Sequence, residues 1–250
     1  QYEGRKLSGI KQSVRKLGQK EELTKIWVKV PSKDEEKFAQ LRFEKEAEIT
    51  GYYSNDDAVI MSYFLSKERG VRKNKLDKEK ELAKARSMGN RLFNNLPDDY
   101  EFKLISVVDL SELAALYGEV FSSYLYPIDD PEYLEKRKQS DIIYGGIYKQ
   151  GKLVAAAAAE TVLEYKSAKL IDFATLPDYR KQGLAAFLLY KLERELKERN
   201  YNCLYTTTPA AIFAINKAFS QAGYHYTGTL VKDCNVNGAL EDINVWCKEM

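Results

Sequence analysis

Histidine occurs once in this chain and cysteine three times, at Cys203, Cys234 and Cys247. With no CxxC pair and a single imidazole, neither a zinc site nor a disulfide framework is written into the sequence, and a reducing cytoplasm is the expected setting. No apolar run approaches the roughly 18 residues of a membrane-spanning helix. The longest candidate, KLVAAAAAE at 152–160, is too short, and no basic-then-apolar leader pattern is present. A dominant charge sign is also missing: 39 Lys and Arg stand against 37 Asp and Glu, a formal +2. No global field therefore selects nucleic acid or an anionic membrane, and any basic site must be local. What the chain does have is 44% hydrophobic residues over 250 positions, enough for one large core or two small ones.

The first 95 residues read as a small α/β unit. A charged helix spans 6–22, TKIWVKVP is a strand closed by Pro31, and SKDEEKFAQLRF is a helix with Ser32 as its N-cap. EAEITGYYS and AVIMSYFLS, separated by NDD, read as a hairpin. The charge-rich run from Lys67 to Asn90 reads as a helical linker, with a solvated face as its default fate. Residues 96–250 read as a second, larger domain, a mixed sheet with helices on both faces: strand 101–106, helices 109–121 and 131–139, strands 141–148, 152–160 and 168–175, helix 183–199, strand 202–208, helix 210–222, and strands near 224–231 and 240–248. The five alanines at 155–159 lie inside a strand-length run flanked by turns, so they are assigned to a strand whose small side chains permit close approach. The order helix, KIWVKVP, helix, EAEITGYYS parallels helix, NCLYTTTP, helix, GYHYTGTL. The first unit reads as a degenerate copy of the rear of the second.

The most informative stretch is IDFATLPDYRKQGLAAFLLYKLERELKERN at 171–200. Pro177 ends the strand, and from Leu184 apolar residues recur at 184, 187, 188, 192 and 196, one buried helical stripe. The first turns carry Arg180 and Lys181 and no acid before Glu193. A helix N-terminus without its own acid is built for an outside anion, and the amides from Lys181 to Ala185 suit a phosphate or diphosphate. GxxxxGK[ST] and GxGxxG are both absent, which excludes the commonest nucleotide loops.

What stands there instead, Arg180, Gly183 and Ala185 in R-x-x-G-x-A after a strand and a proline, resembles the acetyl-CoA loop of the GNAT N-acetyltransferase superfamily. The element order from 101 to 250 resembles that fold throughout. The segments IDFATLPDYRKQGLA, CLYTT, GYHYTGTL, INVWCK, FSSYLYPIDDPEYL and KIWVKVP are similar to the family of β-lysine N6-acetyltransferases, over most of the chain. The resemblance implies acetyl-CoA as co-substrate, no metal, direct acetyl transfer to the side-chain amine of a free small molecule, and formation of the compatible solute Nε-acetyl-β-lysine. It leaves open another amine acceptor (a polyamine, an aminoglycoside, a protein amine) or a protein that binds CoA without catalysis.

Carried over by position, Phe173, Ala174 and Thr175 would offer backbone groups to the pantetheine arm and thioester. Arg180, Lys181, Gln182, Gly183, Leu184 and Ala185 would form the phosphate loop, with Asn216 as a further cofactor contact. Asp172 and Glu160 are the carboxylates of the central strands and the candidate base or amine anchor. Two departures stand out: Phe219 occupies the position where many relatives carry a tyrosine acid, and Ile212 the position of a frequent asparagine. Tyr224 and Tyr226 are alternative acids without positional warrant. The loop at 124–134 should face the acceptor, with Tyr126, Asp129 and Tyr133 as candidate contacts and Asp130 as the cap of the helix that Pro131 opens. His225 reads as a surface or half-buried strand residue, and a Lys or Arg is expected to hold the acceptor carboxylate.

Overall fold

The computed structural model describes residues 9–91, 95–122, 124–236 and 238–250. In chain order the elements are α1 (Ile10–Lys20), β1 (Lys25–Pro31), α2 (Glu35–Gln40), β2 (Glu44–Ile49), β3 (Ala58–Phe64), α3 (Lys75–Ser87), β4 (Tyr100–Leu104), α4 (Leu110–Val120), α5 (Pro131–Lys138), β5 (Ile142–Lys149), β6 (Lys152–Val162), β7 (Ser167–Thr175), α6 (Leu184–Glu198), β8 (Cys203–Pro209), α7 (Phe213–Gln221), β9 (His225–Val236) and β10 (Ala239–Glu249). The start of the first expected helix, at 6–8, lies outside the described residues.

The α/β class expected from the sequence is what forms. β4 to β10 build a seven-stranded sheet in the order β4-β5-β6-β7-β8-β10-β9, antiparallel except where β7 runs parallel to β8. The alanine run is a strand at the centre of this sheet. Ala155 to Ala159 are fully buried, and α4 and α6 pack onto β6, so methyl-sized side chains allow close approach of helix to sheet.

A second sheet, β1-β3-β2, is antiparallel throughout. Its alternating residues are buried on opposite sides. Val59, Met61 and Tyr63 of β3 pack with Val14, Phe38 and Phe43 from the α1 and α2 side. Ala58 and Ile60 pack with Ala47 and Ile49 against Cys203, Tyr205, Leu230, Ile243, Val245 and Cys247 of the large sheet. The order α1-β1-α2-β2-β3, with sheet order β1-β3-β2, is topologically the order α6-β8-α7-β9-β10, with sheet order β8-β10-β9. Both first strands end in proline, Pro31 and Pro209.

Two local expectations are corrected. Ser32 does not cap a helix: it opens a short 3-10 turn, and its hydroxyl donates to Asp56 across the hairpin, so α2 starts only at Glu35. The charged run is not a solvated linker either. It makes a 3-10 turn at Lys67–Gly70 and then α3, which packs on α7 and buries Leu82 and Ala85. Arg72 and Lys78 flank the buried Asp242 of β10, at 3.4 and 3.2 Å. A buried carboxylate must be paired, and these cations supply the pairing.

Candidate active site

β7 and β8 stay in register only from Ser167↔Cys203 to Lys169↔Tyr205. Beyond that the strands part, bridged once more where Thr206 Oγ1 donates to Leu170 O at 2.7 Å. On its other edge β7 remains paired with β6 as far as Thr175. Phe173, Ala174 and Thr175 therefore form the wall of a wedge whose β8-facing backbone groups are not used by sheet pairing.

At the mouth of this wedge lies the basic loop. Gly183 takes φ +81° as the residue preceding α6, and Lys181 takes φ +63°. No side chain caps this helix end and its first turn carries no acid, so the leading amides and the positive end of the helix dipole are free for an anion. Arg180 Nε donates to Thr175 O at 3.1 Å, tying the loop to the wedge wall. Tyr100 Oη donates to Gln182 Oε1 at 2.6 Å, so that side chain braces the loop on β4. Leu184 faces the core and offers only its backbone, whereas Lys181 is exposed and Ala185 half-buried. One turn on, Ala186 and Tyr190 line a recess of about 660 Å³ shared with Glu193, Gly223, His225 and Lys248.

Asp172 sits at the bulge where two residues of β7, Asp172 and Phe173, are set against one of β6, Ala157, between the pairs Ala158↔Ile171 and Ala156↔Ala174. It adopts φ +57°, a left-handed conformation that Asp tolerates better than most residues. Its carboxylate is 1% exposed, accepts from Tyr124 Oη and pairs with Arg137 Nη1 at 2.9 Å. Burial and the neighbouring Asp172 charge push the Tyr124 phenol far above its ordinary pKa, which keeps it protonated. Against the desolvation of a half-buried site, the Asp172 charge raises the Arg137 pKa. Tyr117, fully buried within electrostatic reach of Asp172, has a hydroxyl with no hydrogen-bond partner among the described residues. Tyr133 lies under the Arg137 guanidinium and stacks on Tyr126.

The expected acceptor loop thus reaches β7 through Tyr124, Tyr133 and Arg137. Asp129 is exposed and takes no part in this cluster; Asp130 caps α5 by accepting from Glu132 N at 2.9 Å. Glu160 is exposed on β6, in register with Lys169. Asn216 is corrected outright as a cofactor contact, because its amide is consumed by the protein. Oδ1 accepts from Thr208, Asn244 and Trp246, and Nδ2 donates to the carbonyls of Pro209 and Ile212.

Phe219 is fully buried, edge-on to both Phe173 and Tyr224. Tyr224 is buried, its hydroxyl without a hydrogen-bond partner among the described residues, and Tyr226 bonds Thr229. His225 is exposed. The sequence did not single out Arg137, because a cation in the last turn of a helix already has a local explanation in the helix dipole. It did not single out Lys169 or Lys29 either.

The Acetyltransferase (GNAT) family model matches residues 109–224, from α4 through the loop and α6 to the end of α7. A β-lysine N(6)-acetyltransferase of Methanococcus maripaludis is 34% identical over 90% of this chain and 82% of its own length. One of Methanosarcina mazei is 34% identical over 82% of this chain and 75% of its own. N-acetyltransferase YodP of Bacillus subtilis is 30% identical over 92% and 84%. Among solved structures, the ribosomal-protein-S18-alanine N-acetyltransferase of Escherichia coli superposes with a TM-score of 0.54 at 19% identity, over 60% of this chain and 93% of that one.

Proposed function

Because this chain belongs to the GNAT acetyltransferase family, and so is an acetyl-CoA-dependent N-acetyltransferase, we propose that its acceptor is β-lysine, acetylated at the N6 amine to give the compatible solute Nε-acetyl-β-lysine. The observation that carries this reading is the likeness to two β-lysine acetyltransferases over most of the chain. In this reading residues 1–95 form a unit that completes the acceptor side of a catalytic domain spanning 96–250.

Acetyl-CoA, when bound, supplies the thioester, and the chain's part is to hold and polarise it. The free first-turn amides of α6, with Lys181 and Arg180 beside them, suit its diphosphate. The β8-facing backbone groups of the Phe173–Thr175 stretch, which sheet pairing does not use, suit its pantetheine arm, and an N–H among them would donate to the thioester oxygen as negative charge develops there, a task for a fixed dipole.

A lysine-type amine with pKa near 10.4 is neutral in only about one molecule in a few thousand at pH 7. Its proton must therefore be taken away. Asp172 is already held by Tyr124 and Arg137, so neither carboxylate oxygen is free to receive that proton. It ties Tyr124 and Arg137 to β7 and so orients the loop beside Phe173. Glu160, the other carboxylate of the central strands, is exposed opposite Lys169, about four strand positions from the wedge, so the proton would reach it only along a chain of waters. With Phe219 in place of a phenol, the departing thiolate is protonated by water.

Transfer is direct. The Cys203 and Cys247 side chains are buried where the two sheets meet, and the Cys234 thiol is pushed up by burial and by Asp233, so it stays a thiol.

Thiol release from acetyl-CoA with β-lysine, α-lysine and spermidine tests the assignment. β-Lysine should turn over at least about tenfold faster than α-lysine, because one displaced ammonium costs the site a charged hydrogen bond. Equal rates, or a preference for spermidine, would remove β-lysine as the acceptor.

A further inference from the structure

Lys169 of β7 stands opposite Glu160 on one side and Tyr205 on the other, so all three project from the same face of the sheet. This is the face covered by the small sheet. From that sheet Lys29 reaches across: its Nζ lies 3.6 Å from the Tyr52 ring centroid and 5.2 Å from that of Tyr205, and donates to Tyr205 Oη at 3.4 Å. Lys169 and Lys29, half-buried residues from different sheets, thus both flank Tyr205 and lie within electrostatic reach of each other. No carboxylate among the described residues comes within ion-pair distance of either, whereas Lys25 and Lys78 are paired with carboxylates at 2.7 to 3.2 Å. Burial lowers the pKa of both, and Lys169 lowers that of Lys29 further, to about 8. Glu160, beyond ion-pair distance, offsets only part of the cost of holding these like charges together, and an anion seated between them would relieve more of it.

The spacing identifies which anion. Lys169 precedes Phe173 by four positions, a span held below about 13 Å of strand by the bulge at Asp172. An extended six-carbon diamino acid with its terminal amine at the wedge places its carboxylate within reach of a lysine side chain rooted that far back. We propose that Lys169 and Lys29 form the subsite for the acceptor carboxylate, so that the small sheet takes part directly in substrate selection. This rests on the reading that the acceptor is an amino acid such as β-lysine.

The test compares β-lysine with the same diamine lacking its carboxylate, in the wild type and in Lys169→Met, Lys29→Met and Lys169→Arg. In each Met variant KM for β-lysine should rise roughly ten- to a hundredfold, the worth of one charged hydrogen bond. kcat and the acetyl-CoA dissociation constant should hold, turnover of the carboxylate-free diamine should be undiminished, and Lys169→Arg should keep most of the β-lysine affinity. An unchanged KM for β-lysine in both Met variants, or equal losses on the two amines, overturns the subsite. A wild type that prefers a different carboxylate-bearing amine overturns β-lysine as the acceptor, while loss of that preference in the Met variants still supports the subsite. A wild type that prefers carboxylate-free amines overturns both.

Discussion

A carboxylate 1% exposed, with a phenol on one oxygen and a guanidinium on the other, is an organiser before it is a base. Asp172→Asn would leave Arg137 half-buried without its anion, and breaking such a pair costs about 3–5 kcal/mol. Denaturant unfolding should show that loss. kcat/KM for the acceptor should fall at least about a hundredfold as Tyr124 and Arg137 lose the anchor that seats the loop beside β7, while acetyl-CoA affinity stays within about twofold; an equal loss of acetyl-CoA affinity would mean that the bulge shapes the wedge instead. Lys29 is the converse case, a charge whose burial opposes folding. Its groups in electrostatic contact are Lys169, Glu160 and Cys203, with the rings of Tyr52 and Tyr205 against it. Its pKa falls from 10.5 to about 8, so between those pH values the unfolded chain holds a proton that the folded chain has released, and stability rises with pH across that window. Below it both states are protonated and the burial cost is fully present. Lys29→Met should therefore raise Tm at pH 7 and flatten the rise above pH 8, while acceptor KM worsens. A lower Tm would show that the cation–π contact with Tyr52 outweighs desolvation.

At the level of elements, what was legible in the sequence was local. The turn from strand to helix at 171–200, the Asp130 cap and the alanine strand follow from residue spacing within a dozen positions, and each forms as expected. Features set by register between distant strands were not legible. The bulge that aims Asp172 at α5, and the meeting of Lys29 with Lys169, depend on pairings between residues up to 140 positions apart in a chain of 250. Asn216 is the instructive miss. Helical spacing put it on the face of Phe219, but the hydroxyl, amide and indole of β8 and β10 claim its side chain, as a buried polar group requires. The loop itself gives the sharpest element-scale prediction. Gly183→Asp adds a Cβ at φ +81° and an anion beside the first-turn amides, so it strains the backbone and repels the diphosphate at once. Calorimetry should show acetyl-CoA affinity reduced by at least about tenfold, a repulsion of roughly 1.4 kcal/mol. Unchanged affinity would place the diphosphate elsewhere.

For the molecule as a whole, the question is why a sheet of three strands with the topology of the rear of its neighbour packs on the face of the large sheet that carries Tyr205, Ile243 and Val245. The seam between them is apolar at Ala47, Ile49 and Ile60 against Leu230, Ile243 and Val245, and charged at its rim, where Lys25 bridges Glu46 and Asp233 at 2.7 and 3.0 Å. Thr227 Oγ1 donates to Glu48 O and Glu46 Oε1 accepts from Val231 N, so polar groups cross the seam as well. Backbone approaches backbone at Gly228, where a Cβ would fall 2.0 Å from Glu46 O and 2.6 Å from Ala47 Cα. A methyl cannot fit without one sheet moving, and overpacking of this kind costs about 1–3 kcal/mol or more. Gly228→Ala therefore shifts the small sheet while leaving the α6 loop, which lies on the far side of β8, untouched. If the small sheet supplies part of the acceptor site, the variant should bind acetyl-CoA as the wild type does and show a KM for β-lysine raised at least about tenfold, the effect of moving Lys29 off its partner. If that sheet only stabilises the fold, Tm falls and KM does not change.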